Sequence, residues 1–225
     1  MRKIKVVGAL LLILTFSAIA VTSAFAADEW LVGGNLIVLG GSFPAVTKGT
    51  WLLLALSFGG FVKTHIVCNA ESLGTVNGLN ASGKGTDTVT EIHNLSLTQL
   101  KKITCEVLAS EKGACSTTLA LLTAINLPWL SELVLKTGDT KPRDLFSSGG
   151  SGEPGFRIEC VTGTGTFEET CEGNVETEQL SNTAKGVSGE IKNLLSSKCG
   201  VSGDVGHIYG TGEVTEPNGS DLAVG

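Results

Sequence analysis

Short runs of β-branched and apolar residues recur along the chain, each ended by Gly, Asn or Asp, and this punctuation leaves little room for long helices. The spacing predicts strands at Leu36–Leu39, Trp51–Phe58, Phe61–Cys68, Thr86–Ile92, Lys102–Leu108, Leu119–Ile125, Leu133–Lys136, Phe156–Val161, Val187–Ile191 and Tyr209–Val214. Asn77-Gly78 has the form of a tight hairpin turn. Two stretches also approach helical spacing: Leu95, Gln99, Lys102 and Ile103, and Ile191, Leu194 and Leu195. The first equally fits strand alternation through Val89, Glu91, His93, Leu95 and Leu97, and strand is the expectation for both. The fold class that follows is all-β, a sandwich or barrel of short antiparallel strands.

The first 26 residues stand apart from this pattern. Arg2, Lys3 and Lys5 precede an apolar run from Val6 to Ala20, and Ala24-Phe25-Ala26 sets small side chains before the Ala26–Ala27 bond. That order is the pattern of a secretory signal peptide, read here as an N-terminal helix cleaved between Ala26 and Ala27. The apolar run is shorter than the roughly 20 residues needed to span a bilayer. The apolar stretches Trp51–Val62 and Thr117–Leu135 are interrupted by Gly, Ser, Asn, Pro or Glu and read better as buried strands. The expectation is a secreted or extracellular protein, with no membrane contact after cleavage.

Charge narrows the partners. All 22 acidic residues lie beyond residue 26, whereas three of the 16 basic ones are in the signal segment, so residues 27–225 are more acidic than the full-length net charge of −6. Binding to nucleic acid or to an anionic surface requires clustered Lys and Arg, and Lys101-Lys102 is the only adjacent basic pair of that region.

Six cysteines follow the signal segment: Cys68, Cys105, Cys115, Cys160, Cys171 and Cys199. An even number in an exported chain points to disulfides. A zinc site is disfavoured because no C-x-x-C pair occurs and the three histidines are scattered. Two pairings remain open. Val62-x-Thr64-x-Ile66-x-Cys68 and Phe156-x-Ile158-x-Cys160 look like a faint internal repeat, which suggests Cys68–Cys105 and Cys160–Cys199, with Cys115–Cys171 between the halves. The alternative joins neighbours, Cys105–Cys115 and Cys160–Cys171, with Cys68–Cys199 closing the domain. Between the halves, the Gly/Ser segment 147–155 reads as a flexible loop or linker. Residues 27–225 are thus one β-rich domain, with two halves that could meet at that loop.

No catalytic pattern stands out. Around Ser188 and Ser202 the nucleophile-elbow sequence lacks its final glycine. Ser202, Asp204 and His207 are neighbours in sequence, and a triad needs convergence in space instead. His65 and Cys68 fall on opposite faces of an alternating strand. Glu168, Glu169, Glu172, Glu176 and Glu178 form an acidic run better read as solvated charge than as a calcium site, since no EF-hand spacing accompanies it. Trp30, Trp51 and Trp129 each adjoin aliphatic residues, which favours core packing; Trp30 or Trp129 could alternatively serve as a sugar platform. No catalytic, cofactor-binding or metal-ligating residue is assigned, and no cofactor is expected.

Asn126-Leu127-Pro128-Trp129-Leu130-Ser131-Glu132-Leu133 resembles a segment, L-P-W-x-[ST]-E-L, of a group of secreted bacterial proteins that carry no assigned activity. The same group has an opening like Ala27-Asp28-Glu29-Trp30, a strand ending in cysteine, a Gly-Thr-Val-x-Gly stretch (here Gly74 to Gly78) and a Gly-rich passage before a second strand-plus-cysteine. The resemblance implies a secreted protein and carries no site residues. The leading functional expectation is a non-enzymatic extracellular or cell-envelope-associated binding or structural module, with cell-wall or extracellular polysaccharide as the candidate partner. The alternative is a secreted hydrolase acting on polysaccharide or peptide. The sequence does not fix the oligomeric state.

Overall fold

Alternation predicts strands, but not how long they run or how they close. The computed structural model of the protein describes residues 28–57, 62–95, 102–108, 115–150, 152–199 and 204–225, and those residues are all β, without a helix. The signal segment, the Ala26–Ala27 bond, Ser202 and residues 96–101 lie outside the described residues. In chain order the strands are β1 (Trp30–Val32), β2 (Asn35–Leu36), β3 (Ser42–Ser57), β4 (Val62–Leu79), β5 (Gly85–Asn94), β6 (Lys102–Val107), β7 (Leu119–Ile125), β8 (Trp129–Val134), β9 (Arg143–Ser148), β10 (Gly155–Thr162), β11 (Gly165–Glu172), β12 (Val175–Glu176), β13 (Ser181–Asn182), β14 (Gly186–Cys199), β15 (Asp204–Thr215) and β16 (Leu222–Val224).

Four strands are far longer than the sequence pattern suggested. β3 and β4 run 16 and 18 residues, and β14 and β15 run 14 and 12. They form one antiparallel ladder in the order β14-β15-β3-β4. Each end of the ladder is completed by different short strands. At the lower end β4 pairs with β6 through Ile66–Cys68, and β6-β7-β10-β11 returns to β14 through Cys171 and Glu172. That circuit is a closed ring of eight strands. At the upper end β4 pairs with β5 through Ala70–Leu79, and β5-β8-β9-β12 follows. The chain from β12 to β13 then bridges to β14, with the Glu178 amide donating to the Glu190 carbonyl at 2.6 Å and Ser181 opposite Ser188. A small sheet, β16-β1-β2, packs against this upper end.

Two core clusters correspond to the two rings. The lower one gathers Ile66, Ile103, Val107, Leu122, Ile158 and the buried cysteines. The upper one gathers Trp30, Ile37, Ala45, Val76, Leu133, Leu180, Val187, Leu222 and Val224. Closing the sheet into rings satisfies strand edges that would otherwise expose unpaired amides.

The disulfides fasten the seams of the lower ring. Cys68 and Cys105 are opposed across the three-residue β4–β6 contact and bonded, with Cα atoms 4.5 Å apart. Cys115, just before β7, is bonded to Cys160 of β10. Cys171 is also disulfide-bonded and lies opposite Cys199 in the two-residue β11–β14 contact. Cys68–Cys105 is the pair suggested by the repeat. Cys115–Cys160 belongs to neither expected scheme and excludes Cys160–Cys199, Cys115–Cys171, Cys105–Cys115 and Cys160–Cys171, while Cys68–Cys105 excludes Cys68–Cys199. The reason is topological: β7 and β10 are neighbours in the ring, so Cys115 reaches Cys160 across the sheet and not along the chain.

Other expectations change for local reasons. Asn77-Gly78 is no hairpin turn; both residues lie within β4, with Asn77 opposite Ser42 and Thr86. A Cβ on Gly78 would stand 2.0 Å from the Val38 carbonyl, so the glycine admits the β2–β3 connection against the strand. Leu36 is paired, but Val38 and Leu39 form an exposed turn and not a strand. The parity expected through Val89, Glu91 and His93 breaks at a bulge, where Gly74 faces Val89 and Leu73 faces Glu91, leaving Thr90 without an opposite residue. Neither stretch with near-helical spacing is helical where described: Leu95 is a turn residue after β5, Lys102 and Ile103 lie in β6, and Ile191, Leu194 and Leu195 lie in β14. Strands from both sides of the 147–155 segment share the ladder, as in β7–β10 and β15–β3.

Peptide mapping without reduction should recover linked fragments for Cys68–Cys105 and Cys115–Cys160. Replacing Cys115 and Cys160 together by Ala should lower the urea-unfolding free energy by about 4 kcal/mol, the chain-entropy value for a loop of that length. Truncating Trp129 to Ala should cost about 3–5 kcal/mol, because its ring is buried, packs edge-on to Phe156 at 5.2 Å and donates from Nε1 to the Ile125 carbonyl at 2.8 Å.

Candidate functional site: a cavity in the upper ring

Inward-facing residues of the upper ring are smaller than the space they surround. Gly74, Gly189 and Gly212 contribute no side chain to the wall, and Ala45, Thr47, Ser72 and Thr177 contribute short ones. The remaining space is a cavity of about 100 Å³ between the two core clusters. Trp30, Val76, Leu180 and Val214 form its roof, and Ile92, Trp129, Phe156 and Ile208 its floor. A water needs about 10–15 Å³ measured this way, so the space can hold several waters or a small organic molecule.

Two carboxyl groups interrupt the apolar lining. Asp87 of β5 sits opposite Ser131 of β8, and Leu133, two residues along, sits opposite Asp144 of β9. Period-two alternation therefore brings Asp87, Ser131 and Asp144 to one inner face, across three adjacent strands. All three are buried. Asp144 is held on both sides by Thr177: its amide donates to the Thr177 hydroxyl at 2.8 Å, and its carbonyl accepts from the Thr177 amide at 2.9 Å. Its Oδ1 is buried and out of hydrogen-bond geometry with any neighbour, while the Ser131 hydroxyl lies beside both carboxyls. Arg143, the next residue in sequence, points away, donating from Nε to Asp139 at 2.7 Å and from Nη1 to Glu178 at 3.2 Å.

Burial pushes the Asp87 carboxyl up to about 6, against a smaller lowering from the adjacent Ser131 and Asp144 side chains. Asp144 is raised well above the ordinary carboxylate range, first by burial and then by the neighbouring Asp87 charge. Two carboxyls this close in an apolar wall titrate as a pair, holding a proton where isolated carboxylates would have lost it.

The residues singled out in the sequence do not assemble into a site. Trp30 and Trp129 are buried at 1% and 5% exposure, which removes them as sugar platforms. His207 stacks on Tyr209 at 6.4 Å. Cys68, three residues after His65, is in a disulfide. The acidic run diverges: Glu168 pairs with Arg157, Glu169 is buried, and Glu176 and Glu178 pair with Arg143 on the outside. Among the described residues, no group of three or more His, Cys, Asp or Glu is placed to hold a metal ion, and no helix is long and apolar enough to cross a membrane. Asp87 and Asp144 were missed because neither belongs to a motif. The available signal was Asp87 within the strand-like Thr86–Ile92 run, at an inward position. Comparison with protein-family models, with curated proteins and with solved structures finds no match.

The folded carboxyl pair binds protons more tightly than the unfolded chain, where aspartate titrates near 4. Its stabilising contribution is therefore full below about pH 4 and is lost as the pH rises through about 6 and beyond. Urea-unfolding free energies should therefore fall as the pH rises from about 4 through about 6 and beyond. Asp144→Asn should flatten that fall; an unchanged slope in the variant would place the proton uptake elsewhere.

Proposed function

We propose that this chain is an exported, non-enzymatic binding module that holds a small ligand inside its upper ring. The observation that carries the reading is the cavity itself, roofed and floored by large apolar side chains yet containing the buried, unpartnered Oδ1 of Asp144. An apolar space with a few convergent polar groups is the usual form of a small-molecule site. Filling it with side chains would have been simpler had packing been its only role, since unfilled volume lowers stability. Export is supported by the disulfides, which persist in oxidising compartments, and by the signal-like segment 1–26.

The hydrolase reading gains one observation, the convergence of Asp87 and Asp144. Glycosidases and some proteases use paired carboxyls. Those pairs lie in clefts that admit a polymer, whereas this pair lines the inside of a ring whose end is covered by β1, β2 and β16. The geometry favours a small guest over a polysaccharide or peptide chain. Cell-wall or extracellular polysaccharide is left as a partner for the outer surface, without Trp30 or Trp129.

Titrating the purified, disulfide-bonded protein with toluene, followed by chemical shifts of Trp30 and Trp129, should give saturable binding. Ala45→Val narrows the cavity and should weaken that binding at least severalfold while leaving the thermal midpoint unchanged or higher. Absence of saturable shifts would overturn the reading.

A further inference from the structure

The chemistry of the wall restricts the guest. Asp87 and Asp144 are the ionisable residues among those lining the cavity. The other charged groups of the strands that carry them are directed elsewhere: Glu91 is exposed, Glu132 pairs with Lys84 at 2.9 Å, and Arg143 pairs with Asp139. His93 of β5 is buried but does not line the cavity. Among the described residues, the carboxyl pair therefore has no cationic side chain facing it. A carboxylate in an apolar wall is costly without a counter-charge.

From this geometry we infer that the cavity binds a small primary amine, its ammonium group seated between Asp87, Ser131 and Asp144 and its apolar body against Trp30, Trp129 and Phe156. The inference rests on the cavity-binding reading above. An ammonium offers three N–H donors and no acceptor, which matches the buried Asp144 Oδ1 and the Ser131 hydroxyl beside it. A carboxylate or phosphate guest would meet like charge. An alcohol or amide would bring an acceptor of its own toward the carboxyl oxygens and leave the negative charge uncompensated. The volume of about 100 Å³ corresponds to about eight non-hydrogen atoms at the space a water requires, the size of an arylmethylamine or a short alkylamine.

The test compares benzylamine with its neutral analogues benzyl alcohol and toluene, and with benzoate, by calorimetric titration at pH 7. Benzylamine should bind at least tenfold more tightly than benzyl alcohol, and benzoate should not bind. Asp144→Asn and Asp87→Asn should each bring the two affinities within about threefold while toluene still binds, which shows that the cavity is intact. With the wild-type protein alone, benzylamine affinity should fall at least fivefold from pH 7 to pH 5 as the carboxyl pair takes up its second proton, whereas toluene affinity should hold constant. If the neutral compounds bind as tightly as the amine, or the amine shows no such pH dependence, the amine inference fails and the cavity-binding reading stands. If none of the compounds binds, both fail.

Discussion

The ladder β14-β15-β3-β4 is the constraint on which the rest of this structure depends. Its strands are long enough to serve two rings at once, so each ring needs only a few further short strands to close. Twist supplies the divergence: neighbouring strands rotate by roughly 20–25° relative to one another, and along 16 to 18 residues the two ends of one ladder face different directions. β4 shows the consequence directly, pairing with β6 through Ile66–Cys68 and with β5 from Ala70 onward. The change of partner occurs over a single residue.

The two rings are stabilised by different means. The lower ring closes through contacts of three and two residues, at β4–β6 and β11–β14, and cysteines occupy both. Cys68–Cys105 spans the three-residue β4–β6 contact, and Cys115–Cys160 ties the start of β7 to the neighbouring β10. The upper ring has a capping sheet whose Trp30 is almost wholly buried. Its centre is partly empty, and the covalent links lie in the lower ring.

That division is also what places the carboxyl pair. Asp87 and Asp144 come from strands distant in sequence and meet only because β8 lies between β5 and β9. The β5 bulge at Gly74 and Thr90 lets the same strand send Asp87 and Val89 into the cavity and, further on, Ile92 into its floor. A Cβ on Gly74 would stand 1.8 Å from the Thr88 carbonyl, so the bulge depends on glycine at that position. The cavity, the acid pair and the aromatic floor are consequences of one register.

Local chemistry determined much of this protein from the sequence alone: the all-β class, the approximate positions of most strands, the burial of Trp30 and Trp129, and the oxidation of the cysteines. These depend on alternation, turn residues and side-chain hydrophobicity, all of which act over a few positions. The polar strands β9 and β11 were not legible, because Arg143–Ser148 and Gly165–Glu172 owe their extension to neighbours on either side and not to their own apolar content. Strand length, ring closure, the Cys115–Cys160 bond and the meeting of Asp87 with Asp144 were decided by the tertiary structure. Each is a contact between distant segments, and its energy depends on which strands become neighbours, a choice made by the whole sheet and not by any single run of residues.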